Sequence, residues 1–159
     1  MLGNINRIRT DYEKALDYYN RAIEIGEELN LQTILCEYYL EKAVLFFETE
    51  RFEKSLELTE KAISISAEVN RTDFLFRSKL LKWRIVSGDD REQSVLQMQE
   101  MLEDSTKDEH KAELNYHLFM LTDKENYKVD SLRIFISLRD VAPKADYIQR
   151  IKALESHKR

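Results

Sequence analysis

The chain is poor in the two residues that most often form turns. Three glycines and one proline occur in its 159 residues, whereas an average usage of about 12% would place about 19 there. So few turn-formers cannot supply the tight turns of β-sandwiches and β-barrels, or the glycine-rich loops of most doubly wound folds. Because apolar residues still make up 43% of the chain, the composition favours a folded protein of long helices joined by short connections.

Cysteine and long apolar runs are also scarce. Cys36 is the single cysteine, so no disulfide can form within the chain. Its apolar neighbours predict a small buried residue rather than a reactive thiol. No apolar stretch approaches the roughly 18 residues of a membrane-spanning helix, and residues 1–7 hold no hydrophobic segment of signal-peptide length. These absences predict a cytoplasmic protein without a membrane partner.

Concentrated positive charge is missing as well. Acidic residues outnumber basic ones by 30 to 25, which gives a net charge of −5, and the two signs are interspersed. No basic block is present to neutralise phosphates, so the sequence does not predict a nucleic-acid partner. The cations gathered in residues 144–159 are those expected at the C-terminus of a helix.

What the chain does contain is an internal repeat. The segment DYEKALD begins at Asp11, and the segment RFEKSLE begins at Arg51, forty residues later. The match continues downstream, where Ala22 corresponds to Ala62. A third copy begins near Gly88, and a weaker fourth copy begins near Asp123. Self-similarity at a fixed period of this length is typical of helical-repeat arrays, and the decay of the repeat is expected where such an array ends.

The repeat segments have helical periodicity. Apolar residues in the segment from Tyr12 to Leu29 fall three or four positions apart, and the segment from Phe52 to Val69 follows the same spacing. The predicted breaks between helices are at residues 30–31, 48–51, 70–73, 87–90 and 104–108, with Asp73 and Asp108 as N-caps. A helix from Val129 to Val141 and a last helix from about Lys144 to Glu155 complete a prediction of roughly 80–85% helix, far above the average.

The repeated residues resemble the tetratricopeptide repeat family, in a variant with a period near 40. The resemblance rests on a Leu-Gly pattern at Leu2, an aromatic residue that opens the second helix, and small residues where helices approach closely. Those small positions are Gly3, Ala15, Ala22, Ala43, Ser55 and Ala62. The resemblance implies an all-α fold: an α-solenoid of antiparallel helix pairs in a right-handed superhelix with a C-terminal capping helix.

The resemblance also implies how the chain is organised. It predicts a single helical-repeat domain over residues 1–159, with a partial repeat at 1–30 and further repeats at 31–70, 71–106 and 107–143. A capping helix is predicted at 144–156. Because Leu2 corresponds to the middle of a first helix, we expect this chain to be a fragment of a longer, bacterial-type array.

Proteins of this family bind partners through one face of the first helix of each pair. The resemblance therefore predicts a non-catalytic scaffold for protein–protein interaction, which holds a peptide or a helix in its concave face. Arg77 and Arg84, beside an apolar strip, favour an acidic partner. The residues predicted on this face are Asn4, Arg7, Glu37, Leu40, Val44, Phe47, Arg77, Leu80 and Arg84.

The sequence offers little to catalysis. His110 and His117 are seven residues apart, whereas helical metal pairs use i and i+4 with a third ligand nearby. We expect both histidines on the surface or at its rim. The glycines are solitary, so no phosphate-binding loop is predicted. The expectation is a protein without catalytic residues, metal or cofactor.

Three alternatives remain open from the sequence. One is a regulatory segment of a larger signalling enzyme, a kinase, cyclase or ATPase, whose catalytic domain lies outside this chain. Another is an RNA-binding helical-repeat protein, which the negative charge disfavours. The third concerns partners: a shortened first repeat predicts self-association or fraying through an uncovered apolar face. The residues expected there are Ile5, Ile8, Tyr12, Leu16 and Tyr19.

Overall fold

The protein is helical throughout its described part. The computed structural model describes residues 12–157, of which 85% are helical and none forms a strand. These residues divide into two compact units, with the boundary between Ile85 and Val86. The helices are α1 (Tyr12–Glu28), α2 (Gln32–Glu48), α3 (Phe52–Glu68), α4 (Thr72–Val86), α5 (Arg91–Asp104), α6 (Asp108–Thr122), α7 (Glu125–Val141) and α8 (Ala145–Ser156).

Consecutive helices pack against each other within each unit, which confirms the all-α helical-array prediction. Unit 1 comprises α1 to α4 and unit 2 comprises α5 to α8, apart from Val86 at the end of α4. Because the connections are only a few residues long, neighbouring helices that pack along their length run antiparallel. No helix among residues 12–157 has the length and apolar character needed to span a bilayer.

The forty-residue sequence repeat appears in unit 1 as two steps of twenty residues. Helices α1 to α4 begin at residues 12, 32, 52 and 72. The first three end alike, with Asn30, Glu50 and Asn70 in the left-handed region at φ of 52°, 58° and 54°. Each turn closes with a backbone bond of 2.8–2.9 Å from the next N–H to a carbonyl five residues back. This Schellman geometry satisfies the last carbonyls of each helix and turns the chain.

Glu50 is the least suitable residue for such a turn, because the left-handed conformation costs a residue with a Cβ about 1–2 kcal/mol. Replacing Glu50 with glycine is expected to raise the free energy of unfolding by about 0.5–1 kcal/mol, since glycine is preferred at this position. Urea unfolding measures the change. The same substitution at Asn70 is the control and gains less, because asparagine tolerates this conformation. A destabilised Glu50→Gly variant would contradict the Schellman assignment.

The core of unit 1 is built around small residues where helices approach closely. Ala15, Ala43, Ser55 and Ala62 are fully buried, as predicted for four of the small positions. Ala22 is only half-buried, and Gly3 lies outside the described residues. The main cluster takes side chains from α1, α2, α3 and α4: Ile23, Leu35, Tyr39, Leu40, Ala43, Phe46, Leu58, Ala62, Leu81 and Ile85.

One close contact recurs in both units. The Ser55 hydroxyl of α3 donates to the backbone carbonyl of Ala43 in α2 at 2.8 Å. In unit 2 the Ser131 hydroxyl of α7 donates to the carbonyl of Ala112 in α6 at 3.0 Å. All four residues are fully buried. A larger side chain at any of them would separate the two helices, so both units use the same device to bring a helix pair together.

Local helix signals were predicted less accurately than the helices themselves. Asp73 and Asp108 are not N-caps, because α4 already begins at Thr72 and α6 begins at Asp108 itself. Both carboxylates lie in the first turn of their helix, where a negative charge interacts favourably with the helix dipole. The aspartate that does cap a helix is Asp90, whose Oδ1 accepts from the Gln93 N–H at 2.9 Å. Cys36 is buried, as predicted.

Candidate partner-binding surface

The predicted partner-binding residues fall on α2 and α4 of unit 1, as far as they can be placed. Asn4 and Arg7 lie outside the described residues. Glu37, Val44, Phe47 and Arg84 are half-buried, and Arg77 is exposed.

Leu40 and Leu80 are exceptions on this predicted face. They are only 1% and 7% exposed, and Leu40 belongs to the main cluster. A side chain this deeply buried offers no surface to a partner. Both leucines are therefore core residues, and the candidate surface consists of the polar and aromatic residues around them.

An ion pair joins α2 and α4 in the middle of this surface. The Arg77 guanidinium Nη2 donates to Glu41 Oε1 at 2.8 Å, where the side chain of Arg77 is 48% exposed and that of Glu41 only 10%. Glu41 was not among the predicted residues. The sequence could have indicated Glu41, because it is a carboxylate in a mainly apolar stretch of α2. A buried carboxylate needs a cation or a hydrogen-bond donor. Arg77 is thus partly committed to holding the two helices together.

Arg84 and Arg71 extend the same line of contacts towards the two ends of α4. The Arg84 guanidinium carbon lies 4.6 Å from the ring centroid of Phe47 in α2. The Arg71 guanidinium carbon lies 4.5 Å from the ring centroid of Phe74, and its Nη1 donates to the Thr33 carbonyl of α2 at 3.5 Å. We call Arg71, Phe74, Arg77, Arg84 and Phe47 the arginine seam. It runs along the junction of α2 and α4.

The seam combines flat aromatic rings with guanidinium groups lying over them. Arg77 also lies over Phe74, at 5.6 Å from the ring centroid. A guanidinium that stacks on a ring through its face keeps N–H groups at its edge, and this fork matches a carboxylate in two places. Stacking also restricts the side chain, so less freedom is lost when a ligand binds. The arrangement suits a partner with carboxylates beside apolar side chains.

Unit 2 repeats this kind of contact between α6 and α8. The Arg150 guanidinium Nη2 lies 3.1 Å from Glu113 Oε2, and its carbon lies 4.2 Å from the ring centroid of Tyr116. Lys144 Nζ lies 2.6 Å from Glu109 Oε1. Glu109 and Glu113 are one turn apart on α6. Their carboxylates are therefore adjacent, and each pairs with a cation, Lys144 just before α8 and Arg150 within it.

These pairs shift the acidity of the carboxylates in α6. Burial acts to raise the pKa of Glu113, but the nearby His117, whose Nε2 lies 3.6 Å from Glu113 Oε2, and the charge of Arg150 outweigh it and lower the pKa. Hydrogen bonds from Lys144 and Tyr147 lower the pKa of Glu109. Both carboxylates are therefore held in the charged form by groups on α8 and on their own helix.

The two histidines expected at the surface or its rim differ in burial, and His110 is half-buried. His117 is buried in α6, where its ring stands edge-on to Tyr116 at 5.1 Å, so its predicted place at the surface is wrong. Within residues 12–157, no group of three or more potential metal ligands is placed to hold an ion.

Tyr19 was expected on an uncovered face but is 2% exposed, because Ala15 and Leu45 enclose it. Tyr12 and Leu16 are half-buried against the same cluster. Ile5 and Ile8 lie outside the described residues. The part of α1 that these residues were expected to leave open is therefore packed, as far as it is described.

Comparison of this chain with protein-family models, with curated proteins and with solved structures finds no match.

Proposed function

We propose that the chain is a protein-interaction scaffold, and that unit 1 binds an acidic, partly apolar peptide segment along the arginine seam. The observation that supports this most directly is the stacking of Arg84 on Phe47 and of Arg71 on Phe74 across the junction of two helices. Such pairs present positive charge and aromatic surface together. A peptide with alternating acidic and apolar residues satisfies both.

The proposal extends to the type of scaffold, a tetratricopeptide-like array with a long repeat. The twenty-residue spacing of α1 to α4 supports it, as do the buried small residues at the predicted positions. In such an array the first helices of successive pairs lie side by side and carry the binding residues. The contacts between α2 and α4 and between α6 and α8 join helices in that relation.

Arg84, which lies over Phe47 within the seam, is the residue chosen to test it. Reversal of Arg77 would leave the Glu41 carboxylate without its cation and would disturb the helix packing. We expect Arg84→Glu to weaken binding of an acidic peptide about tenfold, because charges at an interface govern encounter and specificity. Synthetic peptides that combine glutamate with leucine or phenylalanine are the probes. Trp83, the only tryptophan of the chain, reports binding by its fluorescence.

Arg133→Glu is the matched control for this test. Arg133 is 73% exposed on α7 in unit 2 and pairs locally with Asp130. Its reversal changes the net charge by the same amount, because both variants replace arginine with glutamate. Unfolding of both variants in urea verifies that they remain folded. If both bind the peptides equally well, the attraction comes from net charge, and the seam is not the binding surface.

A further inference from the structure

Helix α1, together with Leu29 just beyond its end, carries an exposed apolar stripe that the described residues of unit 1 do not cover. Tyr18, Ile25 and Leu29 are 37%, 54% and 62% exposed, and the half-buried Ala22 lies between them. Their spacing of four, three and four residues places all four on one face, which we call the α1 stripe. The spacing is that of a helix that pairs with a second helix along a seam.

The α1 stripe is distinct from the face that joins α1 to α2. That face consists of Ala15, Tyr19, Ile23 and Gly26, all buried. It packs closely, since a Cβ added at Gly26 would lie 2.7 Å from Leu35 Cδ2. Helix α1 therefore already has its partner within unit 1, and the stripe is an additional apolar surface beside it.

The internal repeat gives the α1 stripe a counterpart whose burial can be compared with it. Forty residues on, its four positions are occupied in α3 by Leu58, Ala62, Ile65 and Val69. There Leu58 and Ala62 are 7% and 0% exposed within the main cluster, and Ile65 packs against that cluster. The same face is thus buried or half-buried in α3, whereas three of its four positions in α1 are exposed. Apolar surface of this kind on a helix marks an interaction site.

The charges beside the stripe are arranged for pairing with an identical helix. Arg21 and Glu28 lie seven residues apart on the side of the stripe away from the core, so they occupy equivalent flanking positions. When two copies of α1 align antiparallel with Tyr18 opposite Leu29 and Ala22 opposite Ile25, Arg21 of each copy faces Glu28 of the other. Both residues are exposed, and the Arg21 pair with Asp17 is a surface pair that exchanges readily.

We infer that α1 pairs antiparallel with α1 of a second copy of this chain, through the α1 stripe and two symmetric Arg21–Glu28 bridges. The contact is isologous, so a two-fold axis passes between the helices near Ala22 and Ile25. One helix face from each copy makes a small interface, so the dimer is weak and depends on concentration. This inference is independent of the proposed peptide-binding seam, which lies on α2 and α4.

Sedimentation equilibrium of the full chain over a wide concentration range tests the inference. Charge variants test the Arg21–Glu28 pairing most directly. Arg21→Glu and Glu28→Arg are each expected to raise the dimer dissociation constant about tenfold, because two attractive pairs become repulsive. Mixed in equal amounts, the two variants are expected to associate as tightly as the unaltered chain, since every flanking pair is again of opposite charge. Lys61→Glu, at the equivalent position of α3, is the control and leaves the dissociation constant unchanged.

Further outcomes would overturn the inference. The double variant Ile25→Glu with Leu29→Glu is expected to remain folded, because both side chains are largely exposed, and to be monomeric at all concentrations. A dimer that survives this change uses another surface. A mixture of Arg21→Glu and Glu28→Arg that associates no better than either variant alone excludes the antiparallel alignment. If the unaltered chain stays monomeric and NMR shows contacts from Ile5 or Ile8 to Tyr18, its own first residues cover the α1 stripe, and the inference is wrong.

Discussion

The Ala62→Leu variant is expected to lower the free energy of unfolding by about 2–3 kcal/mol, near the upper end of what overpacking costs. Ala62 is fully buried in α3 at the centre of the main cluster, which also receives side chains from α2 and α4. The three added carbon atoms cannot be accommodated without moving a helix, because protein cores are close-packed. Urea-induced unfolding followed by circular dichroism measures the change.

Ala22→Leu is the matched control, because the internal repeat makes Ala22 the counterpart of Ala62. Ala22 is half-buried on the α1 stripe, where a longer side chain extends towards solvent. We expect it to change the free energy of unfolding by less than about 0.5 kcal/mol, as is usual for surface substitutions. Both variants are compared at a protein concentration low enough to exclude association. Equal effects at the two positions would contradict the burial difference between α1 and α3.

Arg150→Leu is expected to lower the free energy of unfolding by about 1–3 kcal/mol at neutral pH. The Glu113 side chain is only 25% exposed, and removal of Arg150 leaves its charge without the main cation that compensates burial. The stacking of Arg150 on Tyr116 is lost as well. The double variant Arg150→Leu with Glu113→Gln is expected to recover part of the lost stability. Its glutamine is neutral, so position 113 no longer carries a partly buried charge without a cation.

The pH dependence of this loss identifies its cause. The pKa of Glu113 in the folded chain is lowered from its ordinary value of 4.5. The charged carboxylate therefore contributes stability above that value, and the contribution is lost as the pH falls through the lowered pKa. Without Arg150 the pKa of Glu113 is higher than in the unaltered chain, because one of the groups that lower it is gone, so the variant loses this contribution at a higher pH than the unaltered chain. An equal difference between the two proteins at pH 7 and at pH 3 would show that lost packing, and not charge, is responsible.

The positions of the helices were readable in the sequence because helix formation is governed by neighbours along the chain. A period of 3.6 residues and the scarcity of glycine and proline predicted the breaks at residues 30–31, 48–51 and 70–73, which match the ends of α1, α2 and α3. The resemblance to the tetratricopeptide repeat implied that Ala43, Ser55 and Ala62 are close-contact positions, because a larger side chain there would push two helices apart.

The burial of individual side chains was decided only by the tertiary structure. Leu40 and Tyr19 were expected on faces open to a partner, Leu40 from the family resemblance and Tyr19 from the shortened first repeat, yet neighbouring helices cover both. Periodicity shows that a face is apolar, but not which helix packs on it. The Arg77–Glu41 pair joins residues 36 apart, a separation at which no local spacing rule applies.

The same division holds for the two candidate interaction surfaces. The sequence by itself determined an all-α chain of repeated helix pairs, and it placed Arg77 and Arg84 on one face of α4. Only the tertiary structure decided that Arg84 stacks on Phe47 while Arg77 is bound to Glu41. It also decided that the α1 stripe is exposed although its counterpart in α3 is buried. Identical repeat positions differ in this way because burial depends on which helices stand beside each copy, and that is a property of the packed array and not of the repeat unit.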